Sequence, residues 1–370
     1  MTVPSRGDDP LSPPAPPAGG STTIATDRRG PAGAPPGSGS RRLAERVFRV
    51  RESGIIAVLL VFVAVTTSIQ PSFLNQQNIQ FLLINTTVYA LLALGETMVV
   101  VSRNVDLSIG SVLGLSAYVS AGMFGHHPGI PIPVVFLIGL GIGLACGMAN
   151  GLMVAVGRVP SLVVTLATLY IIRGIDILIV GGSEVTAQTL PNSFTNIPRA
   201  TVFGVPYLAI AIAAVIGLGA YYLRSFRSGR ELYAIGSNPE AARLAGIPVG
   251  TRIFTAFAVS GAIAGVAGVL WAAQYQTIDS TAGTGYELTV ISAVVVGGVA
   301  IFGGSGSAVG AAVGALLLSS ITSALNVLGI SQLWLEAISG FLLLLAITMD
   351  RVISVKLMAA LRRRSPGVGT

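Results

Sequence analysis

The chain has 370 residues, of which 52% are hydrophobic and 10% charged, with a net charge of +7 and a mean hydropathy of +0.78. Soluble domains carry roughly a quarter charged residues, so this composition excludes one and specifies an integral membrane protein. The single cysteine, Cys146, has no internal disulfide partner, and the two histidines, His126 and His127, are adjacent and offer no zinc-binding spacing.

Residues 1–40 are rich in proline and glycine and hold almost nothing large and apolar, so they are expected to form a disordered tail. They lack the short basic start and immediate apolar core of a cleavable signal peptide. A transmembrane domain is expected over 41–350, followed by a basic tail over 351–370. Runs long enough to cross about 30 Å of hydrocarbon at about 1.5 Å per residue fall at 54–69, 81–101, 107–124, 132–156, 161–180, 203–223, 253–276, 287–302, 306–328 and 333–349. The expectation is therefore an all-α, polytopic fold of about ten spans. Arg103 and Asp106 interrupt the 79–124 region, where a broken or re-entrant helix is equally compatible with the pattern.

Basic residues collect on the cytoplasmic side of membrane proteins. With both termini inside, Arg41, Arg42, Arg46, Arg49, Arg51, Arg103, Arg158, Arg224, Arg227, Arg230, Arg243, Arg252, Arg351, Lys356 and Arg362 to Arg364 all fall there, leaving Arg199 in an outer loop. This bias accounts for the positive charge, so no nucleic-acid partner is expected.

Gly139, Gly143, Gly147 and Gly151 recur every fourth residue, as do Gly306, Gly310 and Gly314. Each set predicts a small stripe on which helices approach closely. Two acid–base pairs stand at i, i+3 spacing, Arg103 with Asp106 and Arg173 with Asp176. Charges at membrane depth face a bundle interior or a wet cavity and usually pair. The first pair is expected beside a helix break, with Asp106 or Ser108 capping the next helix; the second either forms a structural ion pair or lines a polar path. Glu96 stands alone among apolar neighbours.

Enzyme chemistry finds little support. "GGSG" at 303–306 is similar to the serine motif of intramembrane rhomboid proteases, but both histidines lie in the turn-rich "GHHPGIP", so a serine nucleophile has no base within a span. A P-loop needs a lysine after its glycine-rich turn, and the only lysine is Lys356 in "SVKLMAAL". ATP-driven work would thus require a separate subunit, which would hold the ATP and magnesium; no cofactor is expected in this chain.

Between two apolar runs lies the polar stretch "GRELYAIGSNPEAARLAGIPVGTR", within a loop at 224–252. Asn238 is a good N-cap, Pro239 fits the first helical position, Glu240 suits the positive helix end, and Gly246 with Pro248 stops the helix. So short a helix is marginal alone and is expected to dock against something.

Four stretches in order, "VDLSIGSVLGLSA", "NGLMVAVGRVPSLVVTLATLYIIRGI", "GRELYAIGSNPEAARLAGI" with "SGAIAGVAGVLWAAQ", and "VVVGGVAIFGGSGSAVGAAVGALLL", resemble the permease subunit of carbohydrate ABC importers of the ribose/xylose/arabinose class over roughly residues 50–350. The resemblance implies a permease in the bacterial cell membrane, working as a pair, with ATPase domains inside and a sugar-loaded binding protein outside. It also implies that Asn238, Pro239, Glu240, Ala241, Ala242, Arg243, Leu244, Ala245 and Gly246 form the coupling helix, with the small face of Ala242 expected against the ATPase cleft. The sugar path is expected to use Arg173, Asp176, Glu96 and the group Gln274, Tyr275 and Gln276, with Asn85, Tyr89 and Thr168 as further members. Most relatives read Gly-Gly where this chain has Arg103 and Asn104; "RNVDLS" with "GTGYEL" is similar to the branch that imports rhamnose or autoinducer-2. The alternative is an ion- or proton-coupled transporter, which usually carries several buried carboxylates; Glu96 and Asp176 are the candidates.

Overall fold

The computed structural model describes residues 38–331, 333–345 and 347–348, with side chains from residue 54 onward. Two compact units divide after Ala44, and apart from the start of α1 the second carries every feature described below. Of the tails expected at 1–40 and 351–370, residues 1–37 and 351–370 lie outside the described residues.

The chain order is α1 (Ser38–Ile69), α2 (Gln76–Val101), α3 (Ile109–His126), α4 (Ile132–Ala155), α5 (Ser161–Val180), a single turn α6 (Asn192–Thr195), strands β1 (Thr201–Val202) and β2 (Val205–Pro206), α7 (Tyr207–Ser225), α8 (Arg227–Ser237), α9 (Pro239–Leu244), α10 (Val249–Tyr275), α11 (Tyr286–Val296) and α12 (Ala308–Val327), then α13 (Trp334–Leu345). Six of these, α2, α4, α5, α7, α10 and α12, are long and apolar enough to cross a membrane. With the shorter apolar helices Gly54–Ile69, α11 and α13 and with α3, every expected span contains a helix. The fold is all-α and polytopic; β1 and β2 form only a two-stranded hairpin turning through Phe203 and Gly204, both at positive φ.

The 79–124 region is broken. Arg103 adopts a left-handed φ of 68°, and Asn104 N–H closes α2 by donating to Val99 O. Asp106 then accepts from the Ser108 amide at 2.9 Å and hydroxyl at 2.6 Å, opening the turn into α3. The expected Arg103–Asp106 pair does not form: Asp106 is buried, whereas Arg103 faces outward. The span expected at 287–302 is also shorter, because α11 ends at Val296 and a glycine-rich loop runs to Ser307.

Burial identifies the centre of the bundle. The apolar window of α2 is 89% buried, against 22% for α4 and for α7, so α2 is surrounded by protein. The outer faces of α4, α5 and α7 present Leu137, Leu178 and Leu218, as hydrocarbon surroundings require. The α4 glycines meet α10. A Cβ on Gly143 or Gly147 would collide with the backbone oxygen of Gly261 or Phe257, one on Gly139 with the Val269 side chain, and one on Gly151 would press on Phe254. Gly261 and Gly265 are equally crowded by α4, and Ser116 on α3 donates to Gly265 O at 2.7 Å. Gly310 and Gly314 make the same approach to Gly297 and Ala293. Gly306 departs from that stripe: it precedes the Ser307 N-cap, has φ +139°, and packs on Val299 inside the loop.

Candidate functional site

Two groups of residues gather at opposite ends of α10. At its C-terminal end, Trp271, Gln274 and Tyr275 share one face through their i, i+3, i+4 spacing. Asn85 of α2 receives hydrogen bonds on its side-chain oxygen from Gln274 Nε2 at 2.6 Å and the Tyr275 hydroxyl at 3.1 Å. Trp271 Nε1 donates to the Tyr286 hydroxyl at 2.8 Å. Two ring pairs close the group: Tyr89 on Tyr286, with centroids 4.8 Å apart, and Trp271 on Tyr275 at 4.5 Å. Tyr275 is half exposed and forms the rim, while Asn85 and Tyr89 are buried. Buried Gln274 Oε1 and Gln276 Nε2 have no hydrogen-bond partner among the described residues. Aromatic faces combined with amide donors and acceptors suit a ligand with apolar C–H faces and hydroxyl edges.

Four of the residues expected on a sugar path, Asn85, Tyr89, Gln274 and Tyr275, therefore meet. Gln276 follows them as the left-handed cap of α10. The sequence reading missed Trp271 and Tyr286. The helical spacing of Trp271 with Gln274 and Tyr275 was a usable signal, whereas Tyr286 reaches the group only through the turn from α10 to α11.

The other expected path residues make their contacts outside this group. Arg173 Nη1 donates to Ala282 O at 2.6 Å and Ser280 O at 3.2 Å, so it fastens the 277–285 loop to α5. Its distance to Asp176 Oδ2 is 3.7 Å, an ion pair without a hydrogen bond. The Thr168 hydroxyl turns back to Thr165 O. Glu96 is fully buried; its Oε1 accepts from the Asp106 amide at 3.1 Å, bracing the break between α2 and α3. In the 277–285 loop, hydrogen bonds from Thr281 hold the Asp279 carboxyl below its ordinary range.

At the N-terminal end of α10 lie α8 and α9. Asn238 Oδ1 accepts from the amides of Glu240 at 3.1 Å and Ala241 at 3.0 Å, with Pro239 in the first turn. Gly246, at φ +77°, lets its own N–H return to Arg243 O and that of Ile247 return to Ala242 O. Ala242 does not face outward as expected; it is 4% exposed and packs on Ile235 and Val249 of this chain. The outward face instead presents Glu240 and Arg243, paired at 3.1 Å, together with Ala245 and Leu244, which is 91% exposed.

Glu231 ties this layer down. Its two oxygens receive Arg227 Nε at 2.7 Å and Arg252 Nε at 2.5 Å, linking α8 to α10. Hydrogen bonds, first from Arg252 and then from Arg227, hold its carboxyl below the usual range. Burial pushes the Tyr233 phenol up to about 12.

A family model described as a branched-chain amino acid transport system / permease component matches residues 78–347. The chain is 34% identical over 298 residues to the autoinducer 2 import system permease protein LsrC of Enterobacter sp. (strain 638), covering 80% of this chain and 85% of that one. It is also 34% identical over 313 residues to the ribose import permease protein RbsC of Escherichia coli (strain K12), covering 84% and 96%. The ribose import permease protein RbsC of Haemophilus influenzae (strain ATCC 51907 / DSM 11121 / KW20 / Rd) is 34% identical over 311 residues, covering 84% and 95%. No solved structure shows significant similarity to the chain.

Proposed function

Because the chain belongs to this family of transport-system permease components, a membrane transport component rather than an enzyme, we propose that it is the membrane subunit of an ATP-driven monosaccharide importer. In this reading, a binding protein outside delivers the sugar, and an ATPase subunit inside binds ATP and magnesium and contacts α9. A second permease chain completes the path, and both termini of this one are cytoplasmic. The carrying observation is the rigid, capped α9 standing on the Glu231 clamp with Glu240, Arg243 and Leu244 presented outward. A helix anchored so firmly at its base yet carrying an uncovered leucine suits a partner cleft better than a solvated loop. The group around Asn85, Tyr89, Gln274 and Tyr275 supports a sugar as cargo, since rings and amides match the faces and hydroxyls of a pyranose or furanose. The relatives' names direct the choice of probes to ribose and autoinducer-2, and the "RNVDLS" stretch adds rhamnose.

The test is reconstitution with the ATPase and binding protein. Loaded binding protein should stimulate ATP hydrolysis and drive accumulation of the labelled sugar, whereas the chain alone should not accumulate it under an imposed proton or sodium gradient. Gradient-driven accumulation by the isolated chain would overturn the reading in favour of an ion-coupled transporter.

A further inference from the structure

The last turn of α8 meets the rest of the protein backbone to backbone. A Cβ on Gly236 would lie impossibly close to Val101 O, at the end of α2, and within 2.5 Å of Gly304 N. Those two atoms are themselves joined, Gly304 N–H donating to Val101 O at 2.9 Å. Gly304, at φ +79°, packs on Ser237, and Gly303, at φ +82°, packs on Arg103; in each case the nearest backbone atoms are 2.9 Å from where a Cβ would stand. The Tyr233 hydroxyl adds a hydrogen bond from α8 to Gly306 O at 3.1 Å, and Ala300 N–H pins the same loop by donating to Ser305 O. Three segments thus converge with little beyond backbone, the Ser237 hydroxyl and Arg103 Cβ between them: α8, the end of α2, and the loop joining α11 to α12.

Following α2 and α11 away from this junction leads to one place. Tyr89 lies twelve residues before Val101, about 18 Å along α2, and Tyr286 begins α11, a rod of about 16 Å. These are the two rings stacked at 4.8 Å. The junction therefore holds the end of α2 and the loop that follows α11, and the Tyr89–Tyr286 stack joins the middle of α2 to the first residue of α11. Contacts between backbones cannot absorb a displacement by changing rotamer, so they pass it on.

We propose that the Gly236–Gly304–Val101 junction is the force-transmitting contact of the transporter: movement of α9 and α8 is delivered together to α2 and to the α11–α12 loop, and it opens or closes the Tyr89–Tyr286 stack. This rests on the importer reading above and adds the route inside the chain. Gly236, Gly304 and Tyr233 are positioning residues, acting through the contacts they make with α2 and the α11–α12 loop.

The experiment uses the whole complex with ATPase and ribose-loaded binding protein, in a Cys146→Ala background carrying Tyr89→Cys and Tyr286→Cys. A short bis-thiol reagent reports the separation of the two positions with and without ATP and vanadate. Cross-linking should change about fivefold or more between the two states, the scale of an ordinary coupling. Gly236→Ala should abolish that change in assembled complexes and, tested with Tyr89 and Tyr286 intact, lower the sugar moved per ATP. Gly217→Ala, where a Cβ meets nothing within 4 Å, should behave as the parent. Tyr233→Phe removes only the hydroxyl and should weaken the response in the same direction, and it decides the matter if Gly236→Ala fails to assemble. Parent-like nucleotide-dependent cross-linking in these variants refutes the junction. Absence of ATPase stimulation in the wild-type complex would instead overturn the importer reading, and the junction's role with it.

Discussion

Replacing Asn85 with leucine removes one acceptor and orphans two donors. Asn85 is 4% exposed, and its Oδ1 holds Gln274 Nε2 at 2.6 Å and the Tyr275 hydroxyl at 3.1 Å. A side-chain hydrogen bond between membrane helices averages about 0.6 kcal/mol and reaches about 1.7. The Tyr275 ring is half exposed, so its hydroxyl can turn to water, whereas the Gln274 amide is held closer to the helix. The expected loss is therefore about 1 to 2 kcal/mol, or roughly 5- to 30-fold in the folded-to-unfolded ratio. Reversible unfolding in mixed micelles, followed by tryptophan fluorescence in a Trp334→Phe background that leaves Trp271 within the group as the reporter, measures it. Sugar uptake by the same variant should show a raised KM, because the amide cluster no longer presents a fixed pattern of donors. A double-mutant cycle with Gln274→Leu should return a coupling of about 0.5 kcal/mol or more. Additivity within about 0.3 kcal/mol, with unchanged uptake, would refute the reasoning.

Three further outcomes follow from the geometry. Leu244→Ala should insert and fold normally but lose binding-protein-stimulated ATP hydrolysis, whereas Ala242→Trp should disturb α9 itself, because that position packs on Ile235 and Val249; limited proteolysis of the 224–252 loop separates the two. On α4, Gly143→Leu should cost about 1 to 3 kcal/mol by overpacking against α10, while Gly141→Leu, whose Cβ meets nothing within 4 Å, should leave the melting temperature unchanged. The Glu231 carboxyl is held below its ordinary value of 4.5, so its contribution is complete above that pH and is lost as pH falls further through the depressed value. Hydrogen exchange in α8 should accelerate across that acid window, and Glu231→Gln should flatten the response.

Composition and local grammar were enough to specify a good part of this protein. Low charge and repeated apolar runs dictate membrane helices, since a backbone in hydrocarbon must satisfy its hydrogen bonds within each segment. The cap at Asn238 and the stop at Gly246 were equally legible, because capping is decided by residues within one turn. The four-residue glycine period announced a close helix approach on α4. Contacts between distant segments were not written in any such local pattern. Whether Ala242 faces a partner or its own chain depends on where Ile235 and Val249 arrive, and the structure turns it inward. Arg173 and Asp176 share a helical spacing with a path-lining pair, yet Arg173 bonds carbonyls in the loop beyond α10. Glu96 read as a lone buried acid until the broken turn brought the Asp106 amide to it. Tyr286 joined Tyr89 and Trp271, and Gly236 met Val101 and Gly304, only when helices far apart in sequence packed together. Helix formation and capping are decided within a few residues, so the chain spells them out; which faces meet is decided by the sum of packing over the whole bundle, and that sum exists only in the folded molecule.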